Sequence, residues 1–309
     1  TAVFDMYLTP ESICRACSET GMRCVQTGAV NNFSQSVELL EKWYQELNGN
    51  NPLLSFRLGF HAEYTCSTEL MERVAALAAA YQAPVYTHLS ETKGEVEGCV
   101  ERHGMTPARV LDSLGMFDYG GGVYHGVWLT PEEMELFREK KVSVITNPAS
   151  NLKLASGIAP VREFLEKGLN VAIGTDGPAS NNCLDMFREM FLVSGLAKVR
   201  EQDASAVDAR EVLRMATVNG AEAMGLTEAD VLAAGKLADL VMLDLHQPNM
   251  QPLNHIAKNI VYSGSKQNVK MTMIHGKIRY RDGKFNVGDE PEDIYAKANE
   301  IIGKIGGFR

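Results

Sequence analysis

The sequence predicts an α/β chain built as a TIM-like (β/α)8 barrel, read from its second strand onward, with a small β appendage on the C-terminal side. Three observations carry that reading. Seven short runs rich in Val, Ile, Tyr and Phe alternate with helix-patterned segments up to about residue 228, and such alternation builds a parallel sheet. Seven units in a row exceed most doubly wound sheets and fit a barrel. Beyond residue 228 the pattern changes to half-exposed, alternating strands.

The elements follow in order. Ala2–Met6 is the first strand-like run, and it begins immediately after Thr1. Pro10–Thr20 follows Thr9 and stops at Gly21, so it carries helix start and stop signals. Arg23–Gln26 and Leu53–Gly59 are the next apolar runs. Ser67–Tyr81 has a Ser/Thr start, Glu69 in its first turn and an Ala-rich body. Pro84–His88 and Gly122–Val127 read as buried strands. Thr130 is placed to cap Pro131–Lys141, which has proline at its first helical position and a basic end. Val142–Thr146, the helix Pro160–Lys167, the strand Val171–Gly174 and the helix Leu184–Val199 complete the alternation. Seven strands are one short of eight. The deficit falls at the N-terminal side, so the chain is expected to lack strand one, as a fragment or processed form would.

In the last part, Gly235–Leu245 alternates, Val269–Ile274 and Lys277–Tyr280 flank a His275–Gly276 turn as a hairpin, and Pro291–Ile305 reads as a terminal helix. The expected division is a barrel over residues 1–228 and an appendage over 229–309.

Bulk composition narrows the function. The 309 residues carry a formal net charge of −9, which argues against nucleic acid as partner. No apolar run approaches the roughly 18 residues of a membrane span. Six scattered cysteines in a large chain read as reduced thiols and point to the cytoplasm. Cys14 and Cys17 form C-x-x-C, but no second pair stands at zinc-finger spacing.

Polar residues recur at the C-terminal ends of the predicted strands, the face where barrel enzymes work. His61 ends LLSFRLGFH, His88 ends PVYTH with Glu91 just beyond, His125 ends GVYH, Thr146–Asn147 ends VSVITN, and Asp176 ends VAIGTD. Each has a plainer reading. A strand-end histidine is often a surface group, Asp176 could form a turn, and Glu91 could be a solvated charge. Their shared period weighs against those readings taken jointly, because it locates all five on one rim. His103, His246, His255 and His275 lack such placement and read as surface residues.

These residue types suit metal-assisted hydrolysis. A catalytic cation takes imidazole and carboxylate ligands and keeps a position open for water, whose pKa it lowers towards 7. His88 suits an Nε2 ligand. Asp176 can bind the metal and accept the proton from water, Glu91 can carry a proton to the substrate, and His125 can hydrogen-bond the attacking oxygen.

The segments GFHAEYTCS, THLSE, YHGV, NPASNLKLASGIAP, GTDGPASNN, VNGAEAM and GKLADLVMLD, in that order, resemble the amidohydrolase superfamily. The branch is that of the 5-methylthioadenosine/S-adenosylhomocysteine deaminases and related chlorohydrolases. The likeness runs from the first residues to about residue 285. It implies a distorted (β/α)8 barrel with a small β-sandwich, one divalent metal, and hydrolytic deamination of an adenine-type ring with release of ammonia. Zinc is the expected ion, with iron as the alternative. The resemblance assigns His88 and Asp176 to the metal, and Glu91 to proton delivery and substrate contact. It sets His125 beside the attacking water, and His61 and Asn151 against the substrate.

Departures from the pattern set further expectations. The family's first two metal ligands form His-x-His at the end of strand one, and this chain has no such pair. Weak metal binding and little activity are therefore expected of these residues alone. Either a completing N-terminal segment or a homo-oligomer is the expected partner, besides the small purine-type substrate. A non-catalytic barrel remnant, or one piece of a split enzyme, is the alternative. Phe60 and Glu63 stand where relatives carry prolines. Gly28 stands where relatives acting on adenosine-type substrates often carry an arginine.

Overall fold

The computed structural model describes residues 1–306. Its first sheet has seven parallel strands: β1 (Ala2–Met6), β2 (Arg23–Thr27), β3 (Leu54–Ala62), β4 (Val85–Leu89), β5 (Gly121–His125), β6 (Val142–Thr146) and β7 (Val171–Ile173). They lie side by side in chain order, with β1 and β7 at the two edges. Around them run α1 (Pro10–Thr20), α2 (Val37–Leu47), α3 (Thr68–Tyr81), α4 (Lys93–His103), α5 (Pro107–Ser113), α6 (Pro131–Lys140) and α7 (Pro148–Lys153). These are followed by α8 (Val161–Glu166), α9 (Pro178–Asn181), α10 (Met186–Glu201), α11 (Ala209–Met215) and α12 (Val218–Met224).

The sheet is strongly curled, and side chains prove it. Strands β1 and β4 stand three positions apart, about 14 Å in a flat sheet, yet the Phe4 and Tyr86 rings lie 4.9 Å centroid to centroid. Phe4 also reaches Tyr124 on β5, at 5.9 Å. Tyr86, Tyr124, Ile145, Ala172 and Ala223, with Phe4 and Met6, fill the concave side. The larger apolar core lies between the convex side and the helices, around Phe56, Phe117, Phe137 and Phe164. Buried on both faces, the strands read as near-continuous apolar runs.

The appendage forms as a four-stranded antiparallel sheet of β8 (Leu240–Leu243), β9 (Val269–Ile274), β10 (Lys277–Arg281) and β11 (Lys284–Phe285). The strand expected over Gly235–Leu245 is shorter, because Gly235 takes a turn at φ 87° and Asp239 is held by Arg23 of β2. The C-terminal part also returns to the first sheet's helix layer. Helix α13 (Ile256–Ser263) packs on α10 and α11, with Val261 in the main core. Helix α14 (Pro291–Gly306) ends the described chain. Among the described residues no helix is long and apolar enough to cross a membrane. All six cysteines are free thiols.

Candidate active site

The strand-end side chains converge. The His61 and His88 rings lie 5.0 Å apart, and those of His88 and His125 lie 5.5 Å apart. His125 Nε2 stands 3.7 Å from Glu91 Oε2 and 4.0 Å from Asp176 Oδ2. Five side chains from four strands thus share one pocket at the C-terminal end of the sheet, as their period predicted.

Each imidazole is oriented by a bond on Nδ1. His88 Nδ1 lies 3.0 Å from the His61 carbonyl oxygen, which can only accept, so Nδ1 carries the proton and Nε2 presents its lone pair to the pocket. Burial, with the His125 and His61 rings beside it, pushes the His88 imidazole far below its ordinary pKa and keeps it neutral. His61 Nδ1 meets the Thr65 hydroxyl at 3.0 Å. That hydroxyl donates to the Ala62 carbonyl at 3.0 Å, so it accepts from His61 and again leaves Nε2 free. Burial lowers the His61 pKa, against the pull of Glu91. His125 Nδ1 donates to Asn151 Oδ1 at 2.8 Å.

Asp176 is fixed by the Ser150 hydroxyl at 2.6 Å and by the Gly177 N–H at 2.6 Å. Burial alone would raise its carboxyl, but these bonds and the His125 ring outweigh burial and hold it below the usual aspartate value. Glu91 Oε1 accepts from the Ser156 hydroxyl at 3.1 Å. Ser90, His125 and Asp176 all adopt the left-handed region, at φ 52°, 74° and 58°. Non-glycine residues enter it at an energetic cost and cluster there at functional sites.

Asn151 was expected against substrate. It is 2% exposed with its carbonyl oxygen engaged by His125, so its visible task is to hold that ring. Asn151→Ala should therefore lower kcat by about 10–100-fold, in line with other orienting partners of site histidines, with KM much less affected. Steady-state kinetics would check this, and a change confined to KM would contradict it.

Three supporting groups escaped the sequence reading. Glu95, buried at the start of α4, accepts the N–H groups of Ser90 at 2.7 Å and Glu91 at 2.8 Å and completes a capping box with Thr92. It fixes the turn that aims Glu91, and T-K-G-E at 92–95 was its legible signature. Glu189, fully buried on α10, accepts from Ala149 N–H at 3.0 Å and Asn181 Nδ2 at 2.8 Å, joining the NPASN and GTDGPASNN segments. Burial raises its carboxyl pKa. Ser150, the partner of Asp176, lies inside a motif already singled out. Conversely, His103 and His255 are not merely surface groups. His103 Nε2 lies 2.9 Å from Glu63 Oε1, and the His255 side chain caps α13. His246 and His275 are exposed, as expected.

Comparison with known proteins extends this geometry. A family model described as the amidohydrolase family matches residues 1–279. The 5-methylthioadenosine/S-adenosylhomocysteine deaminase of Pyrococcus furiosus is 41% identical over 309 residues, covering 98% of this chain and 73% of that protein. The 5'-deoxyadenosine deaminase of Methanothermobacter thermautotrophicus is 39% identical, with the same coverage of 98% and 73%. Among solved structures, a zinc-bound adenosine deaminase from Xanthomonas campestris superposes with a TM-score of 0.93 at 33% identity, covering 99% of this chain and 71% of that one. The match spans all seven strands and every site residue named above, and this chain belongs to the amidohydrolase family.

Proposed function

We propose that the protein is a metal-dependent hydrolytic deaminase of adenosine-type nucleosides, releasing ammonia. The observation that carries this is the meeting of His88, His125, Glu91 and Asp176 in one pocket with their orientations fixed from outside. The non-catalytic alternative is the weaker reading, because left-handed strand ends and buried ionisable groups are costly features for a passive barrel to keep. Relatives named as methylthioadenosine/S-adenosylhomocysteine and 5'-deoxyadenosine deaminases support the substrate class.

The donor set fits a divalent cation in kind. His88 is neutral with Nε2 free, and Asp176 is an anion facing the same pocket. Among the described residues no three His, Cys, Asp or Glu side chains are grouped to hold an ion. His88 and Asp176 are thus proposed as part of a ligand set that an N-terminal segment pairing with the β1 edge, or a second copy of the chain, would complete. Zinc, the metal bound in the Xanthomonas structure, is the proposed ion. When bound, such an ion acidifies water and supplies hydroxide near neutral pH.

The chain's own residues account for the proton movements. Asp176 accepts the proton that water loses as its oxygen attacks the ring carbon bearing the amino group. Glu91, steadied by Ser156, hands a proton to the adjacent ring nitrogen. His125 Nε2, held between both carboxylates, hydrogen-bonds the attacking oxygen. His61 Nε2, with its lone pair free, accepts from a ribose hydroxyl. Asp176 then passes the proton it took from water to the amino group, the C–N bond breaks and ammonia leaves, and the proton of the new hydroxyl returns to Glu91 as the carbonyl forms. In this proposal residues 1–228 form the hydrolase barrel, while 229–309 form the small sheet, part of a β-sandwich, and the terminal helix.

The test is ammonia release from 5'-methylthioadenosine, 5'-deoxyadenosine and adenosine by zinc-supplemented protein, assayed both alone and with a segment bearing the expected His-x-His strand, with calorimetry for binding. Deamination of any of the three is the expected result. Failure to bind or deaminate all of them would overturn the proposal.

A further inference from the structure

Three neighbouring loops border the His61 side of the pocket. They follow β1 (7–9), β2 (28–36) and β3 (63–67), and they are tied to one another. Gln35 Nε2 donates to the Tyr7 carbonyl at 3.2 Å, Asn32 N–H to the Thr65 carbonyl at 3.0 Å, and Ser67 N–H to Asn32 Oδ1 at 3.0 Å. Their large exposed side chains are apolar or aromatic, Phe33 86% exposed, Tyr7 62%, Tyr64 51% and Leu8 48%, set among the small polar Thr9, Asn32, Ser34 and Ser67. The Tyr64 ring stands edge-on to His61, with centroids 6.1 Å apart.

These loops hold no Lys, Arg or His. Their one charged residue, Glu63, is 3% exposed and turned away from the rim into a clamp with Arg102 at 2.5 Å and His103 at 2.9 Å. The position expected to match an arginine in relatives cannot supply one either. A Cβ on Gly28 would meet Leu40 Cδ1 at 2.2 Å and the Gly59 carbonyl at 3.0 Å. Any side chain there would point into the contact with α2.

We infer that this rim receives the 5' substituent of the nucleoside and selects uncharged, apolar ones, taking a methylthio group or hydrogen in preference to an amino-acid tail or a phosphate. The inference rests on the proposed deaminase reading, with His61 on the ribose side. A thioether methyl gains contact with aromatic rings. A carboxylate or phosphate brought to the same place would lose hydration with no cation on these three loops to replace it.

The test compares 5'-methylthioadenosine, S-adenosylhomocysteine and adenosine 5'-monophosphate by kcat/KM and by calorimetric Kd, on the zinc-supplemented full chain and on Phe33→Arg. The methylthio compound should lead S-adenosylhomocysteine by at least about tenfold and the monophosphate by more, the scale expected when one substrate leaves a charge unpaired. Phe33 is exposed enough to be replaced without disturbing the core. Phe33→Arg should narrow both ratios by about fivefold or more, the scale of one exposed charge contact. Equal or reversed preference in the parent, or ratios unmoved in Phe33→Arg, would overturn the inference while leaving a deaminase. No binding by any of the three would overturn the deaminase reading, and this inference with it.

Discussion

Asp176→Asn is expected to reduce ammonia release by about 1,000-fold, within the range lost when a positioned proton acceptor is removed, while the fold stays intact. The substitution is nearly isosteric. Its remaining oxygen can still accept from the Gly177 N–H that Asp176 Oδ1 receives at 2.6 Å. The new amide nitrogen would face the Ser150 hydroxyl, which now donates to Oδ2 at 2.6 Å and can rotate to accept instead. The local bonds therefore survive, and so should the melting temperature. What disappears is the anion to which the proposed mechanism gives both the water proton and a place on the cation. Zinc bound per chain should fall together with turnover. Retained zinc with lost turnover would separate the two roles in favour of proton transfer, and undiminished ammonia release would remove Asp176 from the mechanism.

The candidate rim was readable from the sequence because position along a strand is encoded locally. A parallel strand buried on both faces announces itself as a β-branched and aromatic run, so the residue ending that run is placed by counting. His61, His88, His125 and Asp176 were located in this way. Helices with strong end signals were equally legible: α6 begins at Pro131 under the Thr130 cap, as expected. Helix α4 was not. Its sequence KGEVEGCVERH holds two glycines and few apolar residues, and its stability comes from the Thr92–Glu95 box and from burying Cys99. What no local pattern encodes is which partner a side chain meets. Asn151 was expected against substrate, and no local pattern showed that its Oδ1 also meets His125 Nδ1 at 2.8 Å. Glu189, which no sequence motif marks, joins two motif loops. Glu63, noted as a departure, is buried because α4 brings Arg102 and His103 to it.

The largest effect on stability is expected at the joint between the two sheets. Arg23 of β2 and Asp239, just before β8, form a bidentate ion pair at 2.5 and 3.0 Å, with side chains 3% and 1% exposed. Asp239 also accepts the His275 N–H at 2.7 Å, and Arg23 donates to the Pro52 carbonyl at 2.7 Å. Removing one member of such a pair leaves the other as a buried, uncompensated charge, so Asp239→Ala should cost about 3–5 kcal/mol in urea unfolding. The pair itself is worth much less, because both groups were dehydrated to form it. The double replacement Arg23→Met with Asp239→Leu should therefore recover most of the loss. Equal losses in the single and double variants would show that the His275 and Pro52 bonds, not the stranded charge, dominate. The pH dependence fixes the sign. Burial pushes the Asp239 carboxyl up, but the bonds from Arg23 and His275 prevail and hold it below its ordinary value. A carboxyl depressed by folding contributes its full stability above its unfolded pKa of about 3.9 and loses it as pH falls through the lower folded value. The stability gap between the parent and Asp239→Asn should thus be constant near neutrality and shrink as the solution is acidified below about pH 4. A gap that widened in acid would mean that Asp239 is protonated in the folded chain, and that Arg23 is the charge left without a partner.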